Sequence, residues 1–105
     1  MLIQVHTDHN IGGREKLIEH VRGVVEDAVD HFANQVTSVE VHLRDENGPK
    51  NGRLDKRCMM EVRVEHRAPI AVTHHADDID EAITGAADKL RRSLEHELAR
   101  LHERR

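Results

Sequence analysis

The chain has 105 residues, a formal net charge of −4, one cysteine, one phenylalanine, and neither tryptophan nor tyrosine. That length suits a single domain, residues 1–105, with one modest core burying roughly 60–65% of the unfolded chain's surface. The composition excludes a bulk polycation, so any nucleic-acid contact must come from a local patch, and it excludes base stacking on aromatic platforms.

One cysteine allows no disulfide within the chain. Cys58 sits in an alternating apolar stretch and reads as a small buried hydrophobe. No apolar run is long enough to span a membrane, and the N-terminus lacks the charged-then-apolar pattern of a secretion signal. The expectation is a cytoplasmic protein with no membrane contact.

Residues 2–6 alternate, with Ile3 and Val5 on one side and Leu2, Gln4 and His6 on the other, which predicts a first strand. Asp8, Asn10 and the Gly12-Gly13 pair then mark a loop. Over residues 14–32, Leu17, Val21, Val24, Ala28 and Phe32 keep helical spacing, and Ile18 and Val25 broaden the stripe. Gly23 weakens this helix by up to ~1 kcal/mol relative to Ala, and is a candidate for close approach to a neighbouring element. Residues 36–44 alternate again: Val39, Val41 and Leu43 face one side, and Ser38, Glu40, His42 and Arg44 the other. Residues 45–55 form a long loop rich in Asn, Gly and Pro. Over residues 57–66, Cys58, Met60, Val62 and Val64 point inward, while Arg57, Met59, Glu61, Arg63 and Glu65 point outward. Ala68-Pro69 predicts a reversal, and residues 70–73 a short last strand with Ile70 and Val72 inward. His74 and His75 lead into a helix over residues 76–105, whose stripe is Ile79, Ile83, Ala86, Leu90, Leu94, Leu98 and Leu101. Asp77 or Asp78 caps its start. Acids dominate its beginning and bases its end, which matches the helix dipole.

The order is β-α-β-β-β-α. The economical assembly is an α+β fold: a four-stranded mixed sheet with two helices packed on one face and the other face open to water. A right-handed crossover makes the first two strands parallel, and the two reversals make the remaining pairs antiparallel.

Catalysis finds little support. There is no nucleophile elbow and no phosphate-loop pattern, and Asn10-Ile11-Gly12-Gly13 reads as a turn and cap rather than an anion cradle. The expectation is a protein that is not an enzyme, with no catalytic residue, no cofactor and no small-molecule substrate. The ten histidines show no metal-site spacing. His6 and His42 share the outward face of neighbouring strands with Glu40 close by. Exposed polar positions on a half-solvated sheet explain them, so no metal site is assigned.

The cationic positions carry more information. Lys89, Arg92, His96, Arg100 and Arg104 fall on one helical stripe beside the apolar face, at ~100° per residue. Arg44, Lys50, Arg53, Lys56 and Arg57 surround the long loop, and Arg14, Lys16 and Arg22 lie on the first helix. Such groups neutralise phosphates without reading sequence. Acids interrupt all three, so a plain solvated surface competes with a polyanion site.

Two stretches resemble a known family. Val36-Thr37-Ser38-Val39-Glu40-Val41-His42-Leu43 resembles the second strand of the ribosome hibernation-promoting factors, also called ribosome-associated inhibitor, protein Y or sigma-modulation proteins. Ala76-Asp77-Asp78-Ile79-Asp80-Glu81-Ala82-Ile83, followed by Ala87-Asp88-Lys89-Leu90, resembles the family's strongest pattern, an acid-led turn opening a long helix. The resemblance implies a double-stranded-RNA-binding-like fold. It implies a stress factor on the small ribosomal subunit, in the channel for mRNA and transfer RNA, that inhibits translation. It also implies contacts from helix bases to ribosomal RNA phosphates. Lys89 and Arg92 lie in the matching pattern, and Arg22 is a looser match on the first helix. His96, Arg100 and Arg104 come from the stripe alone. Since the chain stops soon after the long helix, the expectation is a short form, for which any promotion of ribosome dimers would need a separate ribosome-dimerising factor. The alternative is an interaction module of the same fold that has lost RNA binding. It would use its open sheet face, with His6, Glu40, His42, Glu61 and Arg63 outward.

Overall fold

Period-2 alternation becomes four strands and period-3.6 patterning becomes two helices. The computed structural model describes residues 1–8, 13–46 and 55–103, with side chains of the last helix described through Ala99. The elements are β1 (Leu2–Thr7), α1 (Arg14–Val29) with a 3₁₀ turn at Asp30–Phe32, β2 (Val36–Asp45), β3 (Lys56–Val64), β4 (Ile70–Ala76) and α2 (Ile79–Glu103). The sheet order is β1-β2-β3-β4. β1 and β2 are parallel, and β2–β3 and β3–β4 are antiparallel.

The register aligns the apolar residues in rows. Val5, Val41, Met60 and Val72 form one row, and Ile3, Val39, Val62 and Ile70 the next. Val21, Val25 and Val29 from α1, and Ala82, Ile83, Ala86, Ala87, Leu90, Leu94 and Leu98 from α2, bury themselves against this face. The buried core is aliphatic, with the single phenylalanine, Phe32, packed against it from a partly buried position, and burying each Val, Leu, Ile or Met side chain contributes about 1.5–3 kcal/mol.

The local boundaries differ from the sequence reading in three places. His74 and His75 do not lead into the helix; they belong to β4, which runs on to Ala76. The helix therefore starts later than residue 76, at Ile79. Asp78 is its cap, its Oδ1 accepting from the Glu81 N–H at 2.8 Å and its carbonyl from the Ala82 N–H at 3.1 Å. The reversal after β3 sits before Ala68-Pro69: the Arg67 N–H donates to the Val64 carbonyl at 3.2 Å. His66 takes a left-handed φ of 61° in this turn, a conformation that costs a non-glycine residue energy. Glu97 receives the Arg67 guanidinium at 3.2 Å and ties the turn to α2.

Two glycines behave oppositely. A Cβ added at Gly23 would meet nothing within 4 Å, so this residue marks no close approach. A Cβ added at Gly85 would overlap the ring of His74, which reaches across from β4. Gly85 is what lets α2 and His74 occupy the same space. Gly23→Ala is therefore expected to stabilise the fold by about 1 kcal/mol in urea unfolding. Gly85→Ala is expected to destabilise it, and to turn stabilising by about 1 kcal/mol once His74→Ala removes the ring. Equal effects of Gly85→Ala in both backgrounds would contradict this packing.

Candidate nucleic-acid interface

The phase of α2 is set by its buried stripe, and it puts Lys89, Arg92 and His96 together on an exposed flank. That flank faces the β4 edge. Lys89 Nζ donates to the Thr73 carbonyl of β4 at 2.8 Å, and Gly85, one turn before Lys89, lies under His74 of the same strand. Arg100 continues the stripe by spacing, but its side chain, like Arg104, lies outside the described residues.

Arg22 is not part of this group. On α1, His20 faces α2 and bonds Asp80 Oδ1 at 2.7 Å. Ile18 faces the other way and lines a cleft with Val5 and Thr7 of β1. Arg22 follows Ile18 by one helical turn and shares its side. Arg14 and Arg22 therefore stand on the side of α1 away from α2.

Acids neutralise much of the positive charge on α2. Asp88 pairs with Arg91 at 2.7 Å and also with Arg92. Arg91 bridges onward to Glu95 at 2.9 Å. The Arg91 hydrogen bond, aided by the charges of Arg92 and Arg91, holds the Asp88 carboxyl below its ordinary value of 3.8. The same contacts, Asp88 first and Glu95 second, push the Arg91 guanidinium pKa up. The reading of the cations as one stripe missed Asp88 and Arg91. Their i, i+3 and i, i+4 spacing was the available signal.

The loop group divides as well. Lys50 and Arg53 lie outside the described residues. Lys56 serves the fold: its Nζ sits 2.9 Å from Asp55 Oδ1 and 3.3 Å from Asp45 Oδ1, and both acids are buried. The Asp55 hydrogen bond and the Asp45 contact raise the pKa of the Lys56 ammonium, against the opposing effect of burial. The Asp45 N–H donates to Asp8 Oδ2 at 3.0 Å, which joins the end of β1 to this cluster. Arg57 reaches Glu46 at 4.0 Å on the open face, and Arg44 is exposed beside it. Cys58 is fully buried, and burial pushes its thiol up to about 12, so it stays protonated and inert.

A family model described as sigma 54 modulation protein / S30EA ribosomal protein matches residues 3–102. The chain belongs to this family. Solved structures agree on the fold. A ribosomal subunit interface protein from Coxiella burnetii is 14% identical with a TM-score of 0.68, the alignment covering 94% of this chain and 99% of that one. The N-terminal domain of Protein Y from Thermus thermophilus is 15% identical with a TM-score of 0.72, covering 91% and 98%. Comparison with curated proteins returns no match. Among the described residues, no helix is long and apolar enough to cross a membrane.

In this family member the acid on α2 makes a pH prediction. The native Asp88 pKa is lowered, chiefly by Arg91, so its stabilising contribution is complete above the unfolded value and is lost as pH falls through the native one. Urea unfolding from about pH 6 down to about pH 2 is expected to show Asp88→Asn less stable than the native chain at the top of that range. The two curves are expected to converge at the bottom. A constant gap would mean that the pairs with Arg91 and Arg92 contribute nothing through charge.

Proposed function

We propose that this protein is a ribosome-associated hibernation factor that binds the small ribosomal subunit and inhibits translation. The observation that carries the reading is the family match over nearly the whole chain. The β4-facing flank of α2 is the contact surface, with Lys89, Arg92 and His96 set against ribosomal RNA phosphates in the mRNA and transfer RNA channel, and Arg100 continuing the stripe. Arg22, on the far side of α1, lies outside this surface. A protein of this kind acts by occupancy, needs no catalytic residue or cofactor, and works in the cytoplasm.

The chain's acids set the character of this binding. Each phosphate neutralised releases condensed cations, so affinity falls with salt in proportion to the number of contacts. Three or four cations give a shallow salt dependence, and Asp88 beside Arg92 reduces it further. The expected outcome in a sucrose gradient is co-sedimentation with small subunits at low salt and release as salt rises. Arg92→Glu, and more strongly the Lys89→Glu/Arg92→Glu pair, is expected to abolish it, while Arg22→Glu leaves it unchanged. Lys89 also bonds Thr73, so Arg92→Glu is the cleaner arm, and a melting curve for each variant separates lost contact from lost fold. Normal binding by the double variant sinks the surface assignment, and no binding by the native chain at any salt sinks the function.

The pairing of Arg91 and Arg92 with acids favours a second reading, in which the fold serves as a protein-interaction module through its open sheet face. Glu61 and Arg63 stand outward there, 3.6 Å apart. On that reading the α2 variants change nothing, and a Glu61→Lys/Arg63→Glu charge swap removes partner binding.

A further inference from the structure

The polyanion surface leaves the centre of the open sheet face unused. His6 and His42 are direct partners on the parallel strands β1 and β2. Glu40 precedes His42 by two residues and so shares its face. One ligand atom from each of the three lies within 4.8 Å of the other two. The two imidazoles stack, with centroids 4.6 Å apart and planes inclined by 15°. His6 Nε2 is 3.7 Å from Glu40 Oε1.

We propose that His6, Glu40 and His42 form a binding site for a zinc-type divalent transition-metal ion, with one nitrogen from each imidazole and one oxygen from the carboxylate. The donor set selects the ion. Two imidazoles and a carboxylate suit zinc and its neighbours, whereas calcium and magnesium prefer oxygen ligands throughout. Three protein donors leave a fourth tetrahedral position open to solvent.

The geometry says what must move. Zinc–nitrogen and zinc–oxygen bonds of about 2.0–2.2 Å in a tetrahedron put the donor atoms roughly 3.3 Å apart, so separations that now reach at most 4.8 Å must close by no more than roughly 1.5 Å. Stacked rings hold their in-plane lone pairs parallel, and these cannot meet at one ion. One imidazole must turn about its Cβ–Cγ bond, a torsion with broad wells. Nothing in the core resists this. The His6 and Glu40 side chains are 51% and 38% exposed, and the backbone register already fixes the spacing of all three residues. The neighbours set the charge balance. Arg44 and Arg57 line the adjoining cleft with Met59 and Asp8, and Glu46 faces Arg57. The two guanidiniums oppose a cation and favour an anionic fourth ligand on it.

This inference is independent of ribosome binding. The test uses the untagged full chain titrated with zinc chloride by calorimetry, with the histidine ring nitrogens followed by NMR. The expected result is one saturable equivalent, with the ring signals of His6 and His42 moving together. His6→Gln and His42→Gln are each expected to weaken binding by roughly tenfold or more, and Glu40→Gln by less. His75→Gln, on the same face but outside the cluster, is the control and leaves affinity unchanged. Circular dichroism checks that each exposed substitution keeps the fold. With ten histidines in the chain, diffuse binding is the rival outcome. Unsaturable binding, native affinity retained in His6→Gln and in His42→Gln, or movement of other ring signals instead would each overturn the site.

Discussion

The seat of α2 on the sheet is the constraint from which the rest follows. The first half of its buried stripe is made of small residues, Ala82, Ala86 and Ala87, with Ile83 between them, and the second half of Leu90, Leu94 and Leu98. The small residues and Gly85 bring the helix close to β4, close enough for His74 to reach over the glycine. An aliphatic core packed to native density allows little rotation of such a helix. Its rotational phase is therefore fixed by apolar contacts alone. That phase turns Lys89 toward the β4 edge, leaves Arg92 and His96 exposed on the neighbouring flank, and turns Asp80 toward His20 of α1. The charged surface is a by-product of how the apolar side seats itself.

The parallel pairing of β1 and β2 has an equal effect on the opposite face. The crossover through α1 sets it, and the register brings His6 level with His42. Residues far apart in the chain become side-chain neighbours because strand alternation sends both to the solvent side. One residue of slippage in β1 would send His6 into the core and Val5 into water, so burial of the apolar row enforces the histidine pair.

Most of the architecture was legible in the sequence because both periodicities are clean. Alternation in residues 36–44 and 57–66 and the stripe from Ile79 to Leu98 specify faces, and faces specify layers. The errors lie where local patterning gives no signal. His74 and His75 look like linker residues, yet they extend β4, because pairing with Cys58 and Arg57 of β3 continues the strand. Ala68-Pro69 carries the stronger turn signal, but the chain turns earlier and places His66 at positive φ. Gly23 drew notice and Gly85 none, since close approach depends on a partner in another element. Spacing along α2 puts Lys89, Arg92 and His96 on one exposed flank, and the structure has all three exposed there. Spacing is silent on how helices sit side by side, so it could not separate Arg22 from them. Asp88 was undervalued, although its i, i+3 and i, i+4 spacing to Arg91 and Arg92 was there to be read.

The Lys89–Thr73 hydrogen bond has a consequence of another kind. β4 is an edge strand, and an edge strand is a template on which a second molecule can extend the sheet. An ammonium seated on the backbone of that edge places a charge where an incoming strand would have to lie, and engages a carbonyl it would have to use. Lys89 thus protects the chain from self-association through β4 as well as presenting charge on the helix flank. Any ligand that draws Lys89 away from Thr73 loosens that protection for as long as it is bound, so a bound partner must itself cover the edge it uncovers.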